Sequence, residues 1–164
     1  ESITAEDIKN KNLLDVQAAV LCYGGYNLYS PALKGIFETR KNPFWTLALS
    51  KPRGIFGNNF NALENPEMYK AISPIYNIPN IDERKLPPQF ITSASEDRVT
   101  PVHAIEEYVK ALKDAGQEVT YWEYKDQRHA YLDSGKTFLS GNDFKRDAIP
   151  ALKKIMNFLN SKLL

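Results

Sequence analysis

The alternation of apolar and polar positions changes period along this chain, and each change marks an element. Val16–Tyr23 (VQAAVLCY) is almost wholly apolar and stops at Gly24-Gly25, the pattern of a short strand buried on both faces. Gln89–Ser95 (QFITSAS) is a second such run, rich in β-favouring residues and bounded by Pro87-Pro88 and an acidic turn. From Val102 to Ala115 the period lengthens to that of a helix, with Val102, Ile105, Tyr108, Val109 and Leu112 on one face. Thr100-Pro101 suits its start, and Gly116 its C-terminal cap. Glu118–Lys125 (EVTYWEYK) returns to a β-type composition. A last helix is expected from about Asp143 to Leu163, with a packing stripe of Phe144, Ile149, Leu152, Ile155, Met156 and Leu159. Pro150 sets the start of its regular part near Ile149, and Lys153, Lys154 and Lys162 suit its dipole.

The middle of this pattern is a strand, a crossover helix and a strand. Such a βαβ unit makes its two strands parallel, so both C-terminal ends fall on one sheet edge, where α/β proteins usually keep their sites. Asp97 follows the first strand on that edge and His129 follows the second. A carboxylate and an imidazole delivered this way can form the orienting pair of a hydrolase, in which the acid fixes the tautomer and the imidazole takes the nucleophile's proton.

Elsewhere the periodicity is weaker. Residues 1–15 are polar, with Thr4–Asp7 as a possible first turn of a short helix. Between residues 26 and 80, proline chops the chain into short pieces and aromatics accumulate. A connection inside a compact α/β unit is usually about 2–6 residues, so this stretch is expected to be a lid or a small helical subdomain. Its aromatics would serve either a pocket or the insertion's own core.

Composition narrows the classes. At 164 residues the chain fits one domain with a substantial core, residues 1–164. Net charge is +1 with scattered basic residues, which argues against nucleic acid as a partner. No apolar run reaches the roughly 20 residues of a membrane span, and a single cysteine excludes an internal disulfide framework and weakly favours the cytoplasm. The chain opens on Glu1 rather than Met, as expected of a processed chain or a fragment.

Three segments, AISPIYNI, LPPQFITSASEDRVTP and KALKDAGQEVTYWEYKDQRHAY, resemble the C-terminal part of an α/β-hydrolase of the acetyl-esterase, carboxylesterase and lipase-like kind. In that family a strand leads into a loop bearing the triad acid; a helix ending in an L-x-x-A-G pattern follows, then a strand and a loop bearing the triad histidine. Asp97 and His129 match those two positions. Val16–Tyr23 is similar to the family's strand after the nucleophile helix. The resemblance implies an α/β fold with at least three parallel strands, flanking helices and an aromatic-rich insertion at 26–80, and a carboxylic-ester hydrolase needing no cofactor.

The nucleophile itself is missing. A G-x-S-x-G elbow needs two glycines four apart, and no two of Gly24, Gly25, Gly35, Gly54, Gly57, Gly116, Gly135 and Gly141 are so spaced. Each remaining candidate has a plainer reading beside the chemical one. Asp97 could simply cap the helix near Pro101, with Glu96 as the fallback acid. His129 could be a surface residue, and His103, in the first helical turn, is expected to be solvated. Cys22 lacks the turn that would expose a nucleophile and reads as a small core residue; Ser93 and Ser95 read as turn formers. The expectation is therefore an acid–base pair acting on a small-molecule ester. Its nucleophile would come from a missing N-terminal half, or the open sheet edge would drive self-association. A non-catalytic binding module built on half a hydrolase fold, and an unrelated doubly wound domain, are the alternatives.

Overall fold

The computed structural model describes residues 16–30, 64–133 and 142–164. Among these, three parallel strands form one sheet in sequence order: β1 Ala19–Cys22, β2 Gln89–Ala94 and β3 Val119–Tyr124. Ala19 pairs with Gln89 and Cys22 with Thr92; on the other side Gln89 pairs with Val119 and Ala94 with Tyr124. The three expected strands and their parallel order are therefore present; β1 and β3 are shorter than expected at both ends, and β2 by Ser95 alone. All six residues of β2 are buried. The four residues of β1 are only half-buried, and Val16, expected inside the strand, is 62% exposed. Among the described residues β1 pairs only with β2, which leaves it at the edge of the sheet.

Side-chain alternation sorts the two faces. Ile91 joins Ile105, Tyr108, Val109 and Leu112 of helix α2 (Val102–Asp114), with Leu21, Val119 and Tyr121 packed against the cluster. On the opposite face Phe90 stacks on Phe158 of helix α3 (Ile149–Leu163), and Ala94, Ala151 and Tyr131 pack with Trp122 and Tyr124. The crossover lays α2 on one face of the parallel sheet, and α3, which follows β3, covers the other.

The helix ends follow their local chemistry. Past α2, Gly116 adopts φ 75°, its N–H reaches the Lys113 carbonyl and the Gln117 N–H reaches that of Leu112. These two bonds are a Schellman cap, which the left-handed residue makes possible. Before α3, the chain makes a π-helical turn at Phe144–Ala148. Asp143 accepts from the Arg146 N–H, and the buried Asp147 accepts from the Asp143 N–H. Regular α-helix then begins at Ile149, with Pro150 in its first turn.

The expected stripe of α3 needs correction. Ala148, Ala151 and Phe158 are buried, whereas Ile149, Leu152 and Met156 are exposed. The helix is rotated about its axis relative to that expectation, because two alanines rather than the larger aliphatics let it approach the sheet.

Only parts of the 26–80 insertion are described. Helix α1 (Pro66–Ile72) and a 3-10 turn (Pro74–Asn77) are tied to the stretch after β1: Ser73 Oγ accepts from the Leu28 N–H, and the Tyr26 carbonyl from the Ile75 N–H. Tyr26 and Tyr69 are buried here, and Tyr26 stacks on Tyr108 of α2. Residues 31–63 and the helical turn expected at Thr4–Asp7 lie outside the described residues.

Candidate active site

The C-terminal ends of all three strands converge on one carboxylate. Just past β2, the Asp97 N–H turns back to the Ala94 carbonyl, which directs the side chain across the strand ends. Its side chain is fully buried and every lone-pair direction is used. Oδ1 accepts from the Val99 N–H at 2.7 Å and the Thr100 N–H at 2.8 Å. Oδ2 meets Thr100 Oγ1 at 2.9 Å and His129 Nδ1 at 2.8 Å. Burial alone pushes the Asp97 pKa up, but the hydrogen bonds from His129 and Thr100 outweigh it and hold the carboxyl below its ordinary range.

His129 sits beyond β3 on a loop fixed from three directions. The Gln127 carbonyl accepts from the Glu96 N–H, and Ser95 Oγ accepts from the N–H of Asp126, whose φ is 56°. Asn142 Nδ2 donates to the His129 carbonyl at 2.8 Å, tying the loop to the approach to α3. Two residues on, Tyr131 is wholly buried, with its hydroxyl against Thr92 Oγ1. The imidazole is 32% exposed. With Nδ1 committed to Asp97, its other nitrogen, Nε2, has no partner among the described residues. A carboxylate that fixes one nitrogen and leaves the other free to accept a proton is the geometry of an oriented general base.

Of the residues singled out in the sequence, the structure brings Asp97 and His129 together and no others. Glu96 is exposed and pairs at 3.5 Å with Arg128 instead. His103 is exposed on α2. Cys22 is half-buried, and burial pushes its thiol pKa up, against weaker hydrogen bonds to Thr92 and Tyr131. Ser95 is a turn residue, as expected. Ser93 is not: it lies in β2, buried, 2.7 Å from the Tyr121 hydroxyl. No group of ligating residues able to hold a metal ion occurs among the described residues. Nor is any described helix long and apolar enough to cross a membrane.

Three contributors were not legible as site residues. Thr100 reads only as a helix start, yet its hydroxyl lies within reach of Asp97, of His129 Nδ1 at 3.4 Å and of the Tyr23 carbonyl at 3.1 Å. Tyr23 reads as a strand end, and Asn142 as loop.

A parallel sheet clad by helices, with a buried carboxylate and an imidazole paired at its C-terminal edge, is the architecture of hydrolase-type α/β proteins. Residues 2–133 match the sequence profile of the alpha/beta hydrolase fold, and the chain belongs to that family. Solved structures agree on the fold. An acylaminoacyl peptidase of Pyrococcus horikoshii superposes with TM-score 0.60 at 23% identity, over 90% of this chain and 20% of its own. A puromycin-hydrolyzing peptidase of Mycobacterium tuberculosis gives 0.58 at 18%, over 90% and 19%. The carboxylesterase Cest-2923 of Lactobacillus plantarum gives 0.56 at 11%, over 97% and 50%. The chain thus spans half or less of each of these proteins. No curated protein matches it in sequence.

Proposed function

We propose that this chain supplies the acid and the base of a carboxylic-ester hydrolase, a serine hydrolase whose nucleophile and oxyanion hole lie outside it. The observation that carries the reading is the 2.8 Å contact between His129 Nδ1 and the buried, fully bonded Asp97 carboxylate. Asp97 keeps the proton on Nδ1, so Nε2 is the basic nitrogen. In acylation Nε2 takes the proton from a serine hydroxyl as its oxygen attacks the ester carbonyl, then returns it to the departing alkoxide. In deacylation the same nitrogen takes a proton from water and returns it to the serine. Asp97 stays ionised throughout and stabilises the imidazolium that forms twice per cycle.

The serine would arrive on a separate segment, because no elbow spacing exists among the glycines of this sequence. That segment, or a second copy of this chain, would pair with the side of β1 that meets no strand among the described residues. The 26–80 insertion would wall the substrate pocket, as its position between β1 and β2 suggests.

The test is hydrolysis of short p-nitrophenyl esters by the 164-residue chain and by a longer polypeptide that continues it upstream through a G-x-S-x-G elbow. The chain alone should show no turnover above that of His129→Ala, and the longer polypeptide should lose its turnover with that substitution. Turnover by the chain alone that His129→Ala abolishes would make it self-sufficient. An inert longer polypeptide would favour the binding module.

A further inference from the structure

We infer that Tyr23 is a positioning residue for the His129 imidazole, and that the left-handed backbone at Tyr23 exists to put its ring there. The inference rests on the reading of His129 as the base.

Two observations carry it. First, Tyr23 leaves β1 on the wrong face for a strand. Successive strand residues alternate faces. Leu21 packs on the α2 side and Cys22 lies beside Thr92 and Tyr131 on the α3 side, so a regular strand would return Tyr23 to α2. Instead Tyr23 packs with the cluster on the α3 side, next to its neighbour Cys22. Its φ of 41° is what turns it there. Such a conformation is uncommon and unfavourable for a bulky residue, and persists only where the surroundings fix it. Here they do: the Tyr23 N–H donates to the Thr92 carbonyl at 3.0 Å, and its carbonyl lies 3.1 Å from the Thr100 hydroxyl, whose one proton it shares with Asp97 Oδ2.

Second, the ring so placed meets the imidazole. The Tyr23 and His129 ring centres are 5.0 Å apart at 61°, an edge-on contact. Tyr23 is itself braced edge-on by Tyr131 at 5.1 Å and 82°. The bond to Cβ and the hydrogen bond at Nδ1 fix two points of the imidazole and leave the ring free to tilt about the axis through them. The contact with Tyr23 supplies a third point off that axis, and a ring held at three points keeps Nε2 in one direction. Burial raises the Tyr23 pKa, with the nearby Asp133 charge adding to it, so the phenol is neutral at neutral pH and acts through its ring.

The experiment reads the pair directly and needs no nucleophile. In the 164-residue chain, a His129 Nδ1–H donated to a carboxylate gives a far-downfield proton resonance, whose exchange with water is measured by saturation transfer. Tyr23→Phe keeps the ring and should exchange as the wild type does. Tyr23→Asn keeps a residue that tolerates the left-handed backbone but removes the ring. Its Nδ1–H should exchange about two- to tenfold faster, the equivalent of one lost edge-on aromatic contact. Should Tyr23→Asn lose its fold by circular dichroism, Tyr23→Gly makes the same comparison. Wild-type exchange in the ringless variant, or equal acceleration in Tyr23→Phe, would overturn the positioning role and leave the pair standing. Absence of the resonance from the wild type would overturn the pair itself.

Discussion

Replacing Asp97 by asparagine removes a charge while keeping the shape of the side chain. The carboxylate accepts from four donors: two backbone N–H groups, the Thr100 hydroxyl and His129. Hydrogen bonds to a charged group contribute about 1 kcal/mol more than neutral ones. The wild type also bears the desolvation cost of a buried charge, which offsets part of that gain. In Asp97→Asn the two bonds at Oδ1 become neutral and the two at Oδ2 meet an amide group that cannot accept, so stability at pH 7 should fall by about 2 kcal/mol or more after that offset. The pH dependence has a fixed sign. Because the folded-state pKa lies below the ordinary carboxylate range, the stabilisation is present above that range and fades as pH falls through the folded value. The deficit of Asp97→Asn should shrink accordingly between pH 7 and pH 3. In the complete enzyme the amide would present N–H to His129 Nδ1 and favour the wrong tautomer, with a loss of turnover of about four orders of magnitude. Urea unfolding at both pH values measures the stability terms. A variant as stable as the wild type at pH 7, or a deficit that grows on acidification, would refute the account of the carboxylate.

Tyr131→Phe takes the oxygen partner from the buried Thr92 hydroxyl and leaves it only the weak Cys22 thiol, which should cost about 1 kcal/mol, read as a lower urea midpoint at unchanged slope. Gly116→Ala places a methyl 2.8 Å from Ile81 Cγ2 at a backbone φ of 75°. A strained residue of that kind costs about 1–3 kcal/mol, and a thermal midpoint equal to that of the wild type would sink the argument. By contrast Lys110→Ala, which breaks only an exposed pair with Asp114, should change stability by less than about 0.5 kcal/mol in the same melts.

What could be read from the residues follows from how local each determinant is. The β2–α2–β3 unit carries its own signals: a proline pair, a helical apolar face ending at Gly116, and a β-rich run. Its crossover fixes the strands as parallel, and with them the shared edge of Asp97 and His129. The second layer of the site is not local. Thr100 lies 77 residues from the Tyr23 carbonyl it reaches, and no period in the sequence relates them. The face that α3 buries is set by a similarly non-local term. Apolar size favoured Leu152 and Met156, but close approach to the sheet favoured the small Ala148 and Ala151. Gly24-Gly25 announce a turn after β1, but nothing in the sequence says that the left-handed residue is Tyr23 before them.

The pair's place across the sheet bears on where a nucleophile must stand. His129 arrives from β3, yet it bonds Asp97 beyond β2 and touches Tyr23 beyond β1. The imidazole therefore reaches over the end of β2 towards β1, and a group that gives it a proton approaches from that flank. There the edge of β1 is prepared. The N–H groups of Ala19 and Tyr23 point inward, to the carbonyls of Pro88 and Thr92. Strand alternation then turns those of Val20 and Cys22 outward. If the proposed nucleophile segment adds a strand on this edge, the Val20 and Cys22 amides should exchange rapidly in the 164-residue chain and slowly once that segment is present. Leu21 and Tyr23, bonded to β2 in both states, should change little. Equal exchange at Val20 and Cys22 in the two states would place the nucleophile elsewhere and remove β1 as its dock.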